Sequence, residues 1–305
     1  MLLFWVLFNL FVLVMLALDL GVFHRRTHVI RFKEAIAWSA FWISLAAGFA
    51  VLLLFWQGQQ KALEFTTGYL IEESLSVDNL FVFLMLFRYF RVDPTYQHKV
   101  LFWGIIGALI SRGIFIASGV ALINRFHWII YVFGAFLIYT GFKMLKPMDT
   151  DIHPERSPVL RVARKYLRFS TEYEGGKFFT VRDRKRLATP LFLVLLAVET
   201  TDILFAVDSI PAILAITSDP FIVYTSNVFA ILGLRSLYFA LAGMMEIFRF
   251  LHYGLAGILV FIGAKMVASN YIEIPIAIAL GAVAGVLAIS VLASLLFPTP
   301  RKRSA

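Results

Sequence analysis

No cysteine occurs in the 305 residues, so thiolate metal ligands, disulfides and thiol redox chemistry are closed to this chain's own side chains. Charge is also scarce: 15% of residues are Asp, Glu, Lys or Arg, against about 25% in an ordinary soluble domain. Histidine is limited to six residues, and no His-Glu-x-x-His run is present to suggest a zinc hydrolase. What fills the space is apolar: 60% of residues are hydrophobic, 31 of them Phe, with a mean hydropathy of +0.83. This balance excludes a soluble enzyme, a disordered chain and a disulfide scaffold, and points to an all-α polytopic membrane protein.

Nine apolar segments can be marked, at about 2–22, 35–56, 66–87, 100–122, 128–142, 189–213, 221–245, 253–268 and 275–297. Most exceed the length of about 18 residues that a helix needs to cross the hydrocarbon core. The first has no basic flank before it and reads as a retained span rather than a signal peptide. With the N-terminus outside, 23 of the 28 Lys and Arg residues fall in inside loops or the C-terminal tail, which fixes the orientation by the positive-inside rule. The net charge of +9 is therefore topology, with no nucleic-acid partner implied.

The organisation that follows is two N-terminal spans in 1–65, a first repeat in 66–145, a basic cytoplasmic loop in 146–188, a second repeat in 189–270, and a last span with a basic tail in 271–305. Within the loop, the stretch from Val159 to Arg168 separates apolar and basic residues on different helical faces, which suits either an interfacial helix with anionic lipid as its partner or a solvated connector with positive-inside charge. The tail carries Arg301, Lys302 and Arg303.

Six of the 19 acidic residues lie in only two spans, where an ionisable side chain costs about 2.5–3.5 kcal/mol to insert. The third span carries Glu72, Glu73, Asp78 and Asn79; the sixth carries Glu199, Asp202, Asp208 and Ser209. Superposing Val77-Asp78-Asn79 on Val207-Asp208-Ser209 places Glu72 on Asp202, and the span after each contains one arginine, Arg112 or Arg235. Because the two acidic spans cross in opposite directions, spans 3–5 and 6–8 read as inverted three-helix repeats, with a site expected near the midplane where they meet. Glu72 and Asp78 are six residues apart, so they point about 120° apart on an ideal helix, as do Asp202 and Asp208. Glu199 and Asp202 share a face. Pro211 is expected to break the sixth span beside the Val207 carbonyl. Oxygen donors without thiolate suit Mg²⁺, Ca²⁺ or Mn²⁺, and Arg112 and Arg235 are candidate partners for the carboxylates when no ion is bound. Asp19, near the inner end of the first span, reads as structural.

These motifs resemble the TerC/Alx family of integral membrane proteins. The resemblance rests on Glu72-x-Ser-Leu-Ser-x-Asp78-Asn79, on Glu199-x-x-Asp202-x-x-Phe-Ala-x-Asp208-Ser209, on the arginine-bearing spans that follow, and on the opening Asp19-Leu-Gly-Val-Phe. It implies a manganese exporter of the bacterial inner membrane rather than an enzyme, with Glu72, Asp78, Asn79, Glu199, Asp202, Asp208 and Ser209 as metal ligands or proton carriers. Mn²⁺ is then the transported ion and protons the expected exchange partner. Members of the family are also linked to tellurite resistance and to metal supply for exported proteins, which leaves a scaffold or assembly role as the rival expectation.

Overall fold

A computed structural model describes residues 2–18, 32–145, 157–182, 185–242, 250–272 and 274–296. Asp19 and the tail arginines and lysine at 301–303 lie outside these. Nine of the helices correspond to the nine apolar segments: α1 (Leu2–Leu18), α2 (Phe32–Trp56), α3 (Gln59–Tyr89), α4 (Pro94–Arg125), α5 (Ile129–Met144), α7 (Pro190–Leu214), α8 (Pro220–Leu241), α9 (Leu251–Ala268) and α10 (Ile276–Leu296). Six of them, α2, α4, α7, α8, α9 and α10, are long and apolar enough to cross a membrane. The helices α1 and α5 are apolar but shorter, and α3, at 31 residues, is long enough but carries the acids.

Sequence explains where these helices start and stop. Gly58 adopts a φ of 90°, a left-handed conformation suited to glycine, and its N–H donates back to the Leu53 carbonyl at 3.1 Å, closing α2 before α3 begins. Both α4 and α8 open on Asp-Pro: Asp93 accepts from the Thr95 N–H at 2.8 Å, and Asp219 from the Phe221 N–H at 3.0 Å, with proline at the first helical position. Pro211 does not end α7, which runs on to Leu214. Proline removes one backbone bond, and the packed neighbours of a membrane helix tolerate that loss.

Packing follows a pattern that exchange of α3–α5 with α7–α9 leaves unchanged. The helix α3 lies on α8 while α4 lies on α7, and α5 lies against α9. The last pair approaches so closely that a Cβ on Gly141 would come within 2.8 Å of the Ala256 carbonyl, and one on Gly263 within 2.7 Å of the Gly134 carbonyl. Small residues at such crossings are what van der Waals packing between membrane helices requires. The helix α8 is buried nearly all round, whereas α2 and α10 bury single stripes, Ala35-Trp42-Ala46-Leu53 and Ala279-Val283-Ser290-Ser294. Exposed Leu, Ile and Phe on α1, α2 and α10 are the surface that faces lipid.

The loop between the halves is folded onto the bundle. It contains α6 (Pro158–Tyr166) and an antiparallel hairpin of β1 (Phe179–Arg182) and β2 (Lys185–Ala188), a small exception to the all-helical expectation. Leu160 of α6 is buried in one cluster with Leu80, Leu84, Val100 and Leu191. Tyr173 donates to the Phe90 carbonyl at 2.6 Å, Lys99 donates to the Gly176 carbonyl, and Thr189 donates to the Lys177 carbonyl at 2.6 Å. Burial pushes the Tyr173 hydroxyl above its ordinary pKa, which keeps it a neutral donor.

Candidate functional site

Three helices deliver charge to one point. Arg112, in the middle of α4, is 2% exposed; Glu72 of α3 is 0% and Asp202 of α7 is 4% exposed. One guanidinium nitrogen of Arg112 donates to Glu72 Oε1 and to Asn227 Oδ1 of α8 at 2.9 Å, and reaches Ser209 Oγ at 3.3 Å; the other donates to Asp202 Oδ1 at 3.1 Å. Asn227 is held in turn by its own amide, which donates to the Val223 carbonyl at 2.9 Å. The helical arithmetic explains the selection. Glu72 and Asp202 occupy equivalent places on α3 and α7, and the long Arg112 side chain of α4 reaches both.

The charges do not cancel. Two carboxylates flank one guanidinium, so the fully ionised group carries one net negative charge in a region where isolated charge is costly. Glu72 Oε2 and Asp202 Oδ2 are buried with no hydrogen-bond partner among the described residues. Each acid thus spends one oxygen on Arg112 and keeps the other free, which is what a site for a proton or a cation needs.

The second pair of acids points elsewhere, as the 120° offset requires. Asp78 Oδ2 meets His252 Nδ1 of α9 at 3.1 Å, and the other ring nitrogen of His252 meets the Met144 carbonyl at the end of α5. Asp208 Oδ1 accepts from Thr140 Oγ1 of α5 at 3.3 Å. Asp78 and Asp208 are partly exposed, unlike Glu72 and Asp202; Asp208 is tied to α5 directly through Thr140, and Asp78 only by way of His252. The Glu199 carboxylate lies over Gly107 of α4, where any Cβ would collide with it. Asn79 is buried on α3, and Glu73 bonds Tyr69. Arg235 is buried on α8 but makes none of the bonds to Glu72, Asp202 or Ser209.

The seven sequence candidates are therefore divided: Glu72, Asp202 and Ser209 meet at Arg112, Glu199 lies one turn from Asp202 on the same face of α7 without bonding Arg112, and Asp78, Asp208 and Asn79 stand apart. No three Asp, Glu or His side chains among the described residues gather closely enough to hold a metal ion. Sequence reasoning missed Asn227, Thr140 and His252. Asn227 had a signal, being an amide within an otherwise apolar span, after Thr225 and Ser226. A further polar set was also missed: Lys61 pairs with Glu64 at 3.0 Å and Asp219 at 2.9 Å, and Thr217 donates to Glu64 at 2.6 Å, joining the start of α3 to the α7–α8 turn.

Long apolar helices with acids buried between them define an integral, multi-pass membrane protein. The model of the family described as integral membrane protein TerC matches residues 57–303, and the chain belongs to that family. Among its relatives, an "Uncharacterized membrane protein STKORF319" of Myxococcus xanthus is 52% identical over 292 residues, covering 96% of this chain and 92% of that protein. Proteins named "Putative membrane-bound redox modulator Alx" from Salmonella typhi and Escherichia coli K12 are each 49% identical, covering 94% and 93% of this chain and 92% and 91% of those proteins. No solved structure matches.

Proposed function

We propose that the protein exports Mn²⁺ from the cytoplasm across the bacterial inner membrane, by alternating access at the carboxylates of α3 and α7. One observation carries this reading: two buried acids share a single arginine and each keeps an oxygen with no partner among the described residues, so the group has a standing need for one more positive charge. A proton meets that need in one state and a cation in the other. Ligands bind metal deprotonated, so exchange of Mn²⁺ for protons is the natural coupling. Mn²⁺ is cargo here. Glu72, Asp202 and Ser209 are its innermost candidate ligands, and Arg112 is the group that must give way for it. Asp78 and Asp208, partly exposed beside His252 and Thr140, are the ligands it meets on the way. The packing of α3 on α8 and α4 on α7 supports the inverted-repeat architecture on which such a cycle runs.

The rival reading, a scaffold that supplies metal to exported proteins through the 146–188 loop, is less favoured by a loop whose Tyr173 and Leu160 are anchored in the bundle. The redox name of the Alx relatives finds no thiol chemistry in this cysteine-free chain. The test is Mn²⁺ flux in liposomes with an imposed pH gradient. The parent protein moves Mn²⁺, and the Asp78→Asn, Asp208→Asn double variant loses at least tenfold in rate, on the order of a lost charged ligand. Equal flux in the two proteins overturns Asp78 and Asp208 as ligands on the path, and no Mn²⁺ flux from the parent overturns the transport reading. Flux of Mg²⁺ but not Mn²⁺ overturns the choice of ion.

A further inference from the structure

The cytoplasmic hairpin presents one face that neither the bundle nor the transport reading uses. Cross-strand pairing sets Val181 opposite Arg186 and Phe179 opposite Ala188, so these four side chains share a face, while Thr180 and Leu187 take the other. Phe179 and Val181 are 53% and 66% exposed. The preceding segment is tied alongside: the Ala188 N–H donates to the Arg168 carbonyl and the Ser170 N–H to the Ala188 carbonyl, each at 2.8 Å. This brings Leu167 and Arg168 up to the hairpin face and leaves a groove of about 370 Å³ lined by Leu167, Arg168, Phe179, Val181 and Arg186. Both arginines are exposed, and neither forms an ion pair with an acid among the described residues.

The depth of the groove is set by covalent connection. The strand β2 ends at Ala188, two residues before the spanning helix α7 begins at Pro190, and the Phe179 ring packs on Phe192 in the first turn of α7 at 4.6 Å between centroids. An apolar floor with two guanidinium groups that pair with no acid among the described residues, at the level where a span leaves the membrane, matches one kind of molecule. A phospholipid has an acyl chain to cover Phe179 and Val181 and a phosphate to take the arginines. Guanidinium is the cation best shaped for phosphate, because it binds in a fork.

We infer that this groove is a binding site for an anionic phospholipid, with Arg168 and Arg186 on the phosphate and Phe179 and Val181 under the chain. The site is separate from α6, where amphipathic patterning alone put the lipid, and independent of which ion the protein carries. Removing two arginines from an anionic headgroup costs on the order of tenfold in affinity or more.

The experiment is native mass spectrometry of the full-length protein in neutral detergent, titrated with phosphatidylglycerol or phosphatidylcholine in the absence of Mn²⁺. Phosphatidylglycerol is retained in preference to phosphatidylcholine. The Arg168→Gln, Arg186→Gln pair weakens that retention about tenfold. The Arg161→Gln, Arg164→Gln pair on α6, outside the groove, changes it less than about twofold. If the first pair fails to fold, the single variants Arg168→Gln and Arg186→Gln each give about threefold, and Arg168→Lys, Arg186→Lys, which keeps the charge but loses the fork, falls between the parent and the Gln pair. Equal losses in the two Gln pairs, equal retention of both lipids, or displacement of phosphatidylglycerol by millimolar inorganic phosphate would each overturn the site.

Discussion

The units α3–α5 and α7–α9 carry matching acids but surround them differently. Glu72 and Asp202 face the same arginine, and that arginine comes from the first unit; its counterpart in the second, Arg235, is buried on α8 without touching either acid. Asp78 rests against a histidine of α9, whereas Asp208 rests against a threonine of α5. The helix packing around these groups is nevertheless close to even-handed, with α5 and α9 approaching through glycines on both sides. A frame that is nearly symmetric, holding a charge arrangement that is not, is a frame with two ways of placing one charge. On the transport reading these are the two ends of the cycle.

The largest effect should come from removing the shared charge. Arg112→Met leaves two ionised acids buried without a partner, which in comparable buried pairs costs about 3–5 kcal/mol. Thermal unfolding in detergent should show a marked fall in midpoint, or no folded protein. The triple variant Arg112→Met, Glu72→Gln, Asp202→Asn should recover most of that loss, because neutral amides need no counter-charge. If the single variant is as stable as the parent, Arg112 is not what holds these acids in the core. Next in size is the frame itself. A methyl on Gly141 or Gly263 meets backbone carbonyl oxygen, which cannot move aside as a side chain can, so Gly141→Ala and Gly263→Ala should each cost about 1–3 kcal/mol. Gly257→Ala, on the same helix as Gly263 but with open space around its Cβ, should be neutral or mildly stabilising. Unequal losses at Gly141 and Gly263 would break the claim that the frame is even.

Much of this was readable in advance because it is local. The nine apolar helices are runs of apolar residues, so each was marked, and six of them are long and apolar enough to cross a membrane; the 120° offset between Glu72 and Asp78 follows from helix geometry and agrees with the different partners the two acids have. What escaped depends on contacts between distant segments. Arg112 and Arg235 look alike in their own spans, and only the packing of α4 on α7 decides which one reaches the acids. His252 is 174 residues from Asp78 and carries no local mark of the contact. Two repeat signals were legible and overlooked: Asp-Pro opens both α4 and α8, and Gly141-Phe-Lys143-Met144 on α5 matches Gly263-Ala-Lys265-Met266 on α9. The hairpin was hidden because strands of four residues give too short an alternation to stand out from a basic loop. Pro211 misled in the other direction, since its effect on a single bond was read as a break in the helix.

The smallest test compares the two capping aspartates, which hold equivalent places but have different neighbours. Asp93 is solvent-exposed, and bonds from the Thr95 hydroxyl and then the Thr95 N–H hold its carboxyl below the usual carboxylate range. A lowered folded-state value means that its contribution is present at neutral pH and is lost as the pH falls through that value. Asn is itself a good cap, so Asp93→Asn should leave the melting temperature at pH 7 almost unchanged while flattening its decline on the acid side. Asp219 also caps, but it pairs with Lys61 at 2.9 Å, and Lys61 in turn pairs with Glu64. Asp219→Asn keeps the cap and removes the pair, so it should lower stability at pH 7 by up to about 1 kcal/mol, and less in high salt. Two variants that behave identically at every pH and salt concentration would show that the bridge from α3 to the α7–α8 turn contributes nothing, and that the two turns are as alike in energy as they are in sequence.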